Sequence, residues 1–444
     1  MYLPRTSGNV NLTRRIVLLS ATLLVVASLA HAQRIELSYW VETGEGGQCI
    51  VDHLVAPFNE KSETIHVVAT PQPNFWDATR TALAGGGGPD VVGTPGPSFV
   101  FELARAGQLL SLEEYAEQFG WEDRFFGWAL NLGRVDGTLY SLPDEVETLL
   151  LYYNKTLFEE HGWELPTTMD ELVDLAGTIA DAGIIPFAHS NTEWRPANEW
   201  FVGEFLNQVA GPQLVYEALV GERPWTDPAF VRAIEILDMM QQEGWFMGGL
   251  DRYYTAMVDE RRVVFGDGGA AMVIEGSWAV GSHDAFFGEE AGNANEWDWI
   301  PVPSATGEVY FTVGLGHTVS INRNASNPDA AAEFLTYFFS SEVQGRRLVE
   351  CGEDPAPVRI DIEEFLGSDP RHTRVVEALD AAFALGNFGY TTWTFFPPRT
   401  NVYIWEEIER VWAGRLTPLQ YLEGMQALHE QERAAGDTLI VPAR

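Results

Sequence analysis

Residues 152–183 read YYNKTLFEEHGWELPTTMDELVDLAGTIADAG and carry the strongest local folding signals of the chain. The first half predicts a strand end, a short helix and a proline turn, and the second half predicts an amphipathic helix. Thr168 is expected to cap that helix, because Glu171 three residues later can reach back and complete a capping box. Gly183 marks the helix end. The apolar residues at helical spacing are Leu172, Leu175 and Ile179.

Short apolar runs alternate with helical patterns along the rest of the chain, which is typical of α/β proteins. Runs at residues 34–41, 65–70, 90–94, 270–274 and 316–322 predict strands. Helices are predicted to begin where a capping residue precedes a proline, at Asp227, Asn327 and Thr417.

The first 32 residues have the pattern of an export signal. Arg14 and Arg15 precede an apolar run, and Ala30-His31-Ala32 resembles a cleavage site. The strongly apolar run favours the general secretory route, although the arginine pair also fits a twin-arginine signal. We therefore expect an exported protein whose mature chain has 412 residues, which is too long for one typical core and predicts two domains.

The charge balance is strongly acidic. Removing residues 1–32 takes away three arginines and no acid, so the formal charge changes from -37 to -40. A field of that sign repels phosphate groups, which argues against nucleic acid and anionic membranes as partners. The acid excess fits a protein exposed to high salt, and GC-rich codon usage explains the scarcity of lysine equally well.

Four segments together resemble the bacterial extracellular solute-binding proteins of ABC importers, in their carbohydrate-binding, maltose-binding-protein-like branch (family 1). The first is residues 152–183, with the order Tyr-Asn-Lys, Leu-Phe, Gly, Pro-Thr-Thr and Asp-Glu-Leu. The others are residues 137–143, residues 270–278, and residues 314–322 with 327–339. The resemblance implies a two-lobed α/β periplasmic-binding-protein fold with discontinuous lobes, residues 33–143 plus 315–350 and residues 144–314 plus 351–444.

The resemblance also implies a function. The protein is expected to be a periplasmic or extracellular receptor that closes on a neutral mono- or oligosaccharide and delivers it to membrane permease subunits. The resemblance further implies that the protein is a monomer that has no cofactor and catalyses no reaction. The alternatives are a secreted glycoside hydrolase, which needs only two well-spaced carboxyl groups, and the same receptor fold binding a sugar acid, a polyol or glycerol phosphate.

Tryptophans in loops or at strand ends are the first candidates for ligand contact, because sugar rings present apolar C–H faces that stack on aromatic rings. The alternative is that such a tryptophan only fills a domain interface. Trp278 matches the family's sugar-stacking position, and Trp194 lies in a loop that resembles the aromatic wall of the second lobe. The remaining candidates are Trp40, Trp76 and Trp393.

Polar candidates complete the predicted site. Glu147 corresponds to the family's hinge carboxylate, with a solvated hinge charge as the alternative. Ser98 lies in a loop where relatives place a polar contact, but small and apolar residues here replace the charged pair of the maltose binder, so maltose is not predicted. Arg399 could hold an anionic group or form a surface ion pair. The other candidates are Glu42, Glu45, Glu275 and Gly314.

Cys49 and Cys351 are the only cysteines of the chain. An exported chain favours their oxidation to a disulfide, which requires the two Cα atoms to lie within about 7 Å; two free thiols are the alternative. The nine histidines show no pair at metal-ligand spacing, so no metal site is expected.

Overall fold

The computed structural model describes residues 34–192, 195–353, 356–359 and 370–443. These residues form thirteen strands, β1 to β13, at Ile35–Val41, Ile65–Pro71, Val91–Thr94, Arg134–Val135, Thr138–Leu139, Ser141–Pro143, Val146–Asn154, Ile185–Phe187, Ala270–Gly276, Trp297–Pro301, Phe311–Leu315, Thr318–Ile321 and Phe388–Tyr390.

The α-helices of the described residues are α1 to α21, at Glu45–Cys49, Ala56–Lys61, Phe75–Ala84, Pro97–Arg105, Glu113–Phe119, Trp121–Arg124, Gly127–Leu132, Lys155–His161, Met169–Asp181, Asn198–Ala210, Pro212–Leu219, Pro228–Gln242, Leu250–Tyr253, Val258–Gly266, Val280–His283, Pro328–Phe338, Ser341–Arg346, Pro370–Leu385, Thr392–Phe395, Pro398–Trp412 and Pro418–Ala435. Two π-helical segments, Ile50–Val55 and Arg347–Cys351, follow α1 and α17 directly.

The first lobe is built on a five-stranded sheet in the order β2-β1-β3-β12-β6. Strand β1 is parallel to β2 and β3, whereas β12 is antiparallel to β3 and β6. Aromatic side chains of α16, including Phe334 and Phe338, pack against Tyr39 of β1. The order shows that β12, which comes late in the chain, completes a sheet that was begun by the first residues.

The second lobe is built on a sheet in the order β13-β11-β7-β9-β8, with β10 paired to β7. Strand β7 runs for nine residues, and eight of them are buried. A strand that is buried along nearly its whole length has both faces covered, and β7 also pairs with β9, β10 and β11, so it lies in the middle of this lobe. Its continuation is the short helix α8, which Asn154 caps by accepting a hydrogen bond from the Leu157 N–H.

The predicted helix in residues 152–183 is confirmed as α9. Thr168 Oγ1 accepts a hydrogen bond from the Glu171 N–H at 3.3 Å, and the Glu171 carboxylate accepts one from the Thr168 N–H at 3.2 Å. The three proline-initiated helices are confirmed as α12, α16 and α21. These predictions depended only on interactions between residues three or four positions apart in sequence.

The chain passes between the two sheets at residues 144–145 and 316–317. Later in the chain, Val358 still packs in the first lobe, whereas α18 packs in the second. The first two crossings are hydrogen bonded to each other, because the Asp144 N–H donates to the His317 carbonyl at 2.9 Å and the Gly316 N–H to the Glu145 carbonyl at 3.1 Å. The predicted two-lobed α/β fold with discontinuous lobes is confirmed.

Cys49 and Cys351 form a disulfide with a Cα–Cα distance of 5.8 Å. The bond joins α1 to the π-helical segment that follows α17, and both segments belong to the first lobe. Residues 302 positions apart in sequence are thereby held together.

The C-terminal tail after α21 contacts both lobes. Asp437 lies 3.8 Å from Arg105 of the first lobe, and Leu439 packs against the apolar cluster around α4. The Pro442 carbonyl then accepts a hydrogen bond from the Tyr390 hydroxyl of the second lobe at 2.7 Å. The tail is therefore an additional connection between the lobes.

Candidate functional site

A cavity of about 1240 Å³ lies between the two lobes. Its walls include Glu42 and Trp76 of the first lobe and Trp200 and Trp278 of the second. These residues lie near the carboxyl ends of strands, where the crevice of an open α/β sheet forms its ligand sites. The interlobe cleft is therefore the candidate site.

The base of the cleft carries a buried guanidinium surrounded by carboxylates. Arg347 Nη1 donates to Asp144 Oδ1 at 2.8 Å, Nε donates to Glu353 Oε2 at 3.0 Å, and Nη2 lies 3.5 Å from Glu145 Oε2. Burial lowers the pKa of Arg347, but these carboxylates more than offset that effect and raise it, so the group stays charged. Asp144 and Glu145 belong to the first crossing, so Arg347 ties the helical segment after α17 to that crossing.

His317, in the second crossing, joins the same charge network. Its Nε2 lies 3.4 Å from Glu42 Oε1 and its Nδ1 lies 4.0 Å from Glu145 Oε2. Burial lowers the pKa of His317, but the hydrogen bond to Glu42 and the nearby carboxylates raise it to about 10. The imidazolium ring meets Trp76 edge-on at 5.1 Å, so the charge network positions an aromatic wall of the cleft.

Trp278 forms the aromatic wall of the second lobe. It follows β9 in a short 3₁₀ turn, and its ring lies over Gly276 so closely that a Cβ atom there would overlap it. The Trp200 ring meets it edge-on at 5.2 Å. Gly276 therefore fixes the orientation of the Trp278 ring, and Trp200 supports it from the side.

Two glycines of β11 and the turn after it leave room for polar groups at the floor of the cleft. Gly314 pairs with Glu147 of β7, and a Cβ atom on Gly316 would overlap the Glu147 carboxylate. A Cβ atom on Gly314 would lie 2.9 Å from Trp393 Nε1. Residues larger than glycine at these two positions would displace Glu147 and Trp393, both of which line the cavity.

Glu199 of α10 also lines the cavity, although its side chain is almost fully buried. Thr392 Oγ1 donates to Glu199 Oε2 at 3.1 Å. Burial raises the pKa of Glu199 to about 8, and the hydrogen bonds from Thr392 and Asn401 offset this only in part. The carboxyl group is therefore mostly protonated at neutral pH.

The chain is similar to a known protein family and to several known proteins. The family model described as bacterial extracellular solute-binding protein matches residues 51–345. The chain belongs to this family. Among curated relatives, the multiple sugar-binding protein of Streptococcus mutans is 24% identical over 348 residues, covering 74% of this chain and 76% of that protein.

Two further matches agree with this membership. The galactooligosaccharide-binding protein of Bacillus subtilis is 26% identical over 326 residues, covering 72% of each chain. A solved chitin oligosaccharide binding protein has a TM-score of 0.76 at 20% identity, covering 90% of this chain and 99% of that one. At such identity the solved structure shows a shared fold.

The cleft of this solute-binding protein brings together several residues singled out from its sequence. They come from both lobes, and the cavity walls include Glu42, Trp76, Glu147, Trp278 and Trp393. Their contact with a ligand stays a prediction. Trp194 lies outside the described residues, and Glu45 is described only as the first residue of α1.

Other predicted residues lie away from the cavity walls. Trp40 is in β1 between Tyr39 and Val41, which do line the cavity; because side chains alternate along a strand, Trp40 faces the opposite side of the sheet. Ser98 Oγ donates to the Trp393 carbonyl at 3.1 Å and so joins the two lobes.

Glu275 and Arg399 are also held by other contacts. Glu275 accepts hydrogen bonds from Arg261 at 3.1 and 2.6 Å in the interior of the second lobe. Burial raises the pKa of Glu275, but the neighbouring guanidinium groups more than offset this and lower it. Arg399 lies in the first turn of α20, where its N–H donates to Glu432 at 2.7 Å.

Sequence reasoning missed Arg347, Glu199 and Trp200. Arg347 lies in a helical run of the first lobe, and nothing next to it in sequence indicates three carboxylate partners. The pair Glu199-Trp200 shortly after the Trp194 loop was an available signal, because an acid beside a tryptophan is a composition suited to sugar contact.

Among the described residues, no helix is long and apolar enough to cross a membrane. In the same part of the chain, no group of three or more His, Cys, Asp or Glu side chains is arranged to hold a metal ion.

Proposed function

We propose that this protein is the extracytoplasmic receptor of an ABC importer and that it captures a neutral mono- or oligosaccharide. The observation that carries the proposal is the interlobe cleft, in which tryptophan rings of both lobes stand around buried polar groups. Trp76 and Trp278 offer apolar faces to sugar rings, while the Glu147 carboxylate offers a hydrogen-bond acceptor for hydroxyl groups. The sugar-binding names of the curated relatives support this ligand class.

Closure of the lobes would then bury the sugar between the two walls, since a ligand bound by both lobes stabilises the closed form. The closed monomeric receptor would dock on membrane permease subunits outside the cytoplasm, and no chemical step on the sugar is expected.

An anionic ligand is a weaker fit. Arg399, the residue that suggested a sugar acid or glycerol phosphate, does not line the cavity. The cleft base instead places Glu42, Asp144 and Glu145 around the cations His317 and Arg347. Each cation is thus already surrounded by carboxylates, which oppose a further negative charge.

The test is a thermal-shift screen of the mature protein. The panel contains galactose, maltotriose, raffinose, xylotriose and diacetylchitobiose, with glucuronate and glycerol phosphate as anionic comparators. A bound ligand raises the melting temperature with concentration, as mass action requires. A melting shift with the anionic compounds alone would contradict the proposed ligand class, and sustained release of new reducing ends would contradict the receptor role.

Trp278→Ala is the matching variant, and Trp163→Ala is its control. Trp163 is also partly buried in the second lobe, where it packs on Phe158 and His161 away from the cavity. Trp278→Ala should weaken binding at least about tenfold, equivalent to about 1.4 kcal/mol, and the control should bind as the wild type does. Equal affinity of the two variants would remove Trp278 from the site.

A further inference from the structure

The second-lobe wall of the cleft contains an acid whose surroundings are neutral. Glu199 is 3% exposed and lies in the first turn of α10. The groups facing it from the elements packed against α10 are the Thr392 hydroxyl of α19 and the Asn401 amide of α20. Because burial raises its pKa to about 8, its carboxyl group carries a proton at neutral pH and can donate a hydrogen bond.

Two other acids on these elements accept hydrogen bonds from different groups. Glu204, further along α10, accepts hydrogen bonds from Thr312 and Gln208. Glu409 of α20 accepts a hydrogen bond from Asn198 at 3.3 Å. His317 lies across the cleft on the second crossing and pairs with Glu42.

Trp393 supplies a second donor in the same cavity as Glu199. It is the residue after Thr392, its side chain lines the same cavity, and it is 5% exposed. Its indole Nε1 is buried and has no hydrogen-bond partner among the residues that the structure describes. A buried donor without a partner has lost its hydrogen bond to water, and a ligand oxygen in the cleft would replace that bond.

We propose that Glu199, in its protonated form, and Trp393 act as a pair of neutral hydrogen-bond donors that bind acceptor oxygens of the ligand. The proposal rests on the proposed receptor function and adds a chemical requirement to it. The part of the ligand at this wall presents uncharged oxygen atoms, such as hydroxyl, ring or carbonyl oxygens. An ionised Glu199 can only accept hydrogen bonds, so deprotonation removes one of the two donors.

The experiment measures the Kd at pH 7 and pH 9 by calorimetry. The probe is whichever of maltotriose, raffinose and diacetylchitobiose gives the largest melting shift. The wild-type Kd should rise about tenfold between the two pH values, because a group with a pKa of about 8 becomes about nine-tenths ionised at pH 9. Glu199→Gln should abolish this pH dependence, and Trp393→Phe should weaken binding at both pH values.

Glu204→Gln is the matched control. Glu204 is another buried acid on α10 with a pKa raised to about 7, and it does not line the cavity. This variant should keep both the wild-type affinity and its tenfold change with pH. His317 is present in every variant, so the comparison of Glu199→Gln with Glu204→Gln separates the effect of the Glu199 proton from that of His317.

Infrared difference spectra of the ligand-free protein test the protonation state independently. Wild type minus Glu199→Gln should show a protonated carboxyl band at pH 6.5 that disappears by pH 9.5. An ionised Glu199 at pH 6.5, or a wild-type pH dependence that persists in Glu199→Gln, would overturn the donor pair alone. If no saccharide binds at any pH, the receptor proposal fails and the donor pair fails with it, even where the infrared band is present.

Discussion

Replacing Arg347 with methionine should destabilise the protein more than any exposed ion-pair substitution. Methionine keeps an unbranched apolar stem but removes the charge and the donors. Asp144 and Glu145 are 1% and 5% exposed, and Arg347→Met would remove the guanidinium group that these two carboxylates share with Glu353. Removing one partner of a buried ion pair costs about 3–5 kcal/mol, and we expect a loss in the free energy of unfolding in that range at pH 7.

The adjacent arginine is a built-in control. Arg346 pairs with Glu342, whose side chain is 62% exposed, and donates to the His53 carbonyl. Exposed pairs contribute about 0.2–1 kcal/mol, so Arg346→Met should lose less than about 1 kcal/mol. Because the same substitution is made at two neighbouring positions, the difference in stability loss between the two variants reports the burial of the ion pair and not the replacement of arginine by methionine itself.

Urea unfolding, followed by circular dichroism and tryptophan fluorescence, is the assay. The cost of Arg347→Met should shrink at acid pH, because protonation neutralises the uncompensated carboxylates. A difference between the two variants below about 1 kcal/mol at pH 7 would refute the view that Arg347 balances buried charge at the hinge.

Three further predictions follow from contacts outside the cleft base. Burial raises the pKa of Glu204 from 4.5 to about 7, so the wild type loses stability as the pH rises from 4.5 to 7. The free energy of unfolding of Glu204→Gln should therefore rise relative to that of the wild type by about 1.4 kcal/mol per pH unit in this range. Urea midpoints of the two proteins that change in parallel from pH 4.5 to 7 would contradict this. Replacing Cys49 and Cys351 with serine should lower stability by about 2–5 kcal/mol, and an unchanged urea midpoint after reduction with dithiothreitol would argue against it. Deleting residues 437–444 removes the contact of Leu439 with the first lobe. The shortened protein should therefore show a larger radius of gyration by X-ray scattering when it is ligand-free, and it should release a bound ligand faster than the wild type. Identical values of both quantities in the two proteins would rule out a restraining role of the tail.

The sequence alone was sufficient for the elements and the family. The capping box of α9, the proline-initiated helices and the apolar periodicity involve residues within three or four positions of one another. Such short-range geometry is set by the local chain, and it was recognisable before any fold was known. The order of four such segments also indicated the solute-binding family and the two-lobed fold.

The composition of the cleft depended on tertiary structure. Arg347 meets Asp144 across 203 positions, and the pKa of Glu199 is raised because packing around α10 removes it from water. Trp40 was a candidate because of its position at the end of the first predicted strand, but it lies within β1, where strand alternation turns it away from the cavity. Charge pairing, desolvation and side-chain direction arise only when distant segments pack together. The sequence therefore determined the helices, the strands and the family, whereas the tertiary structure decided which residues line the site.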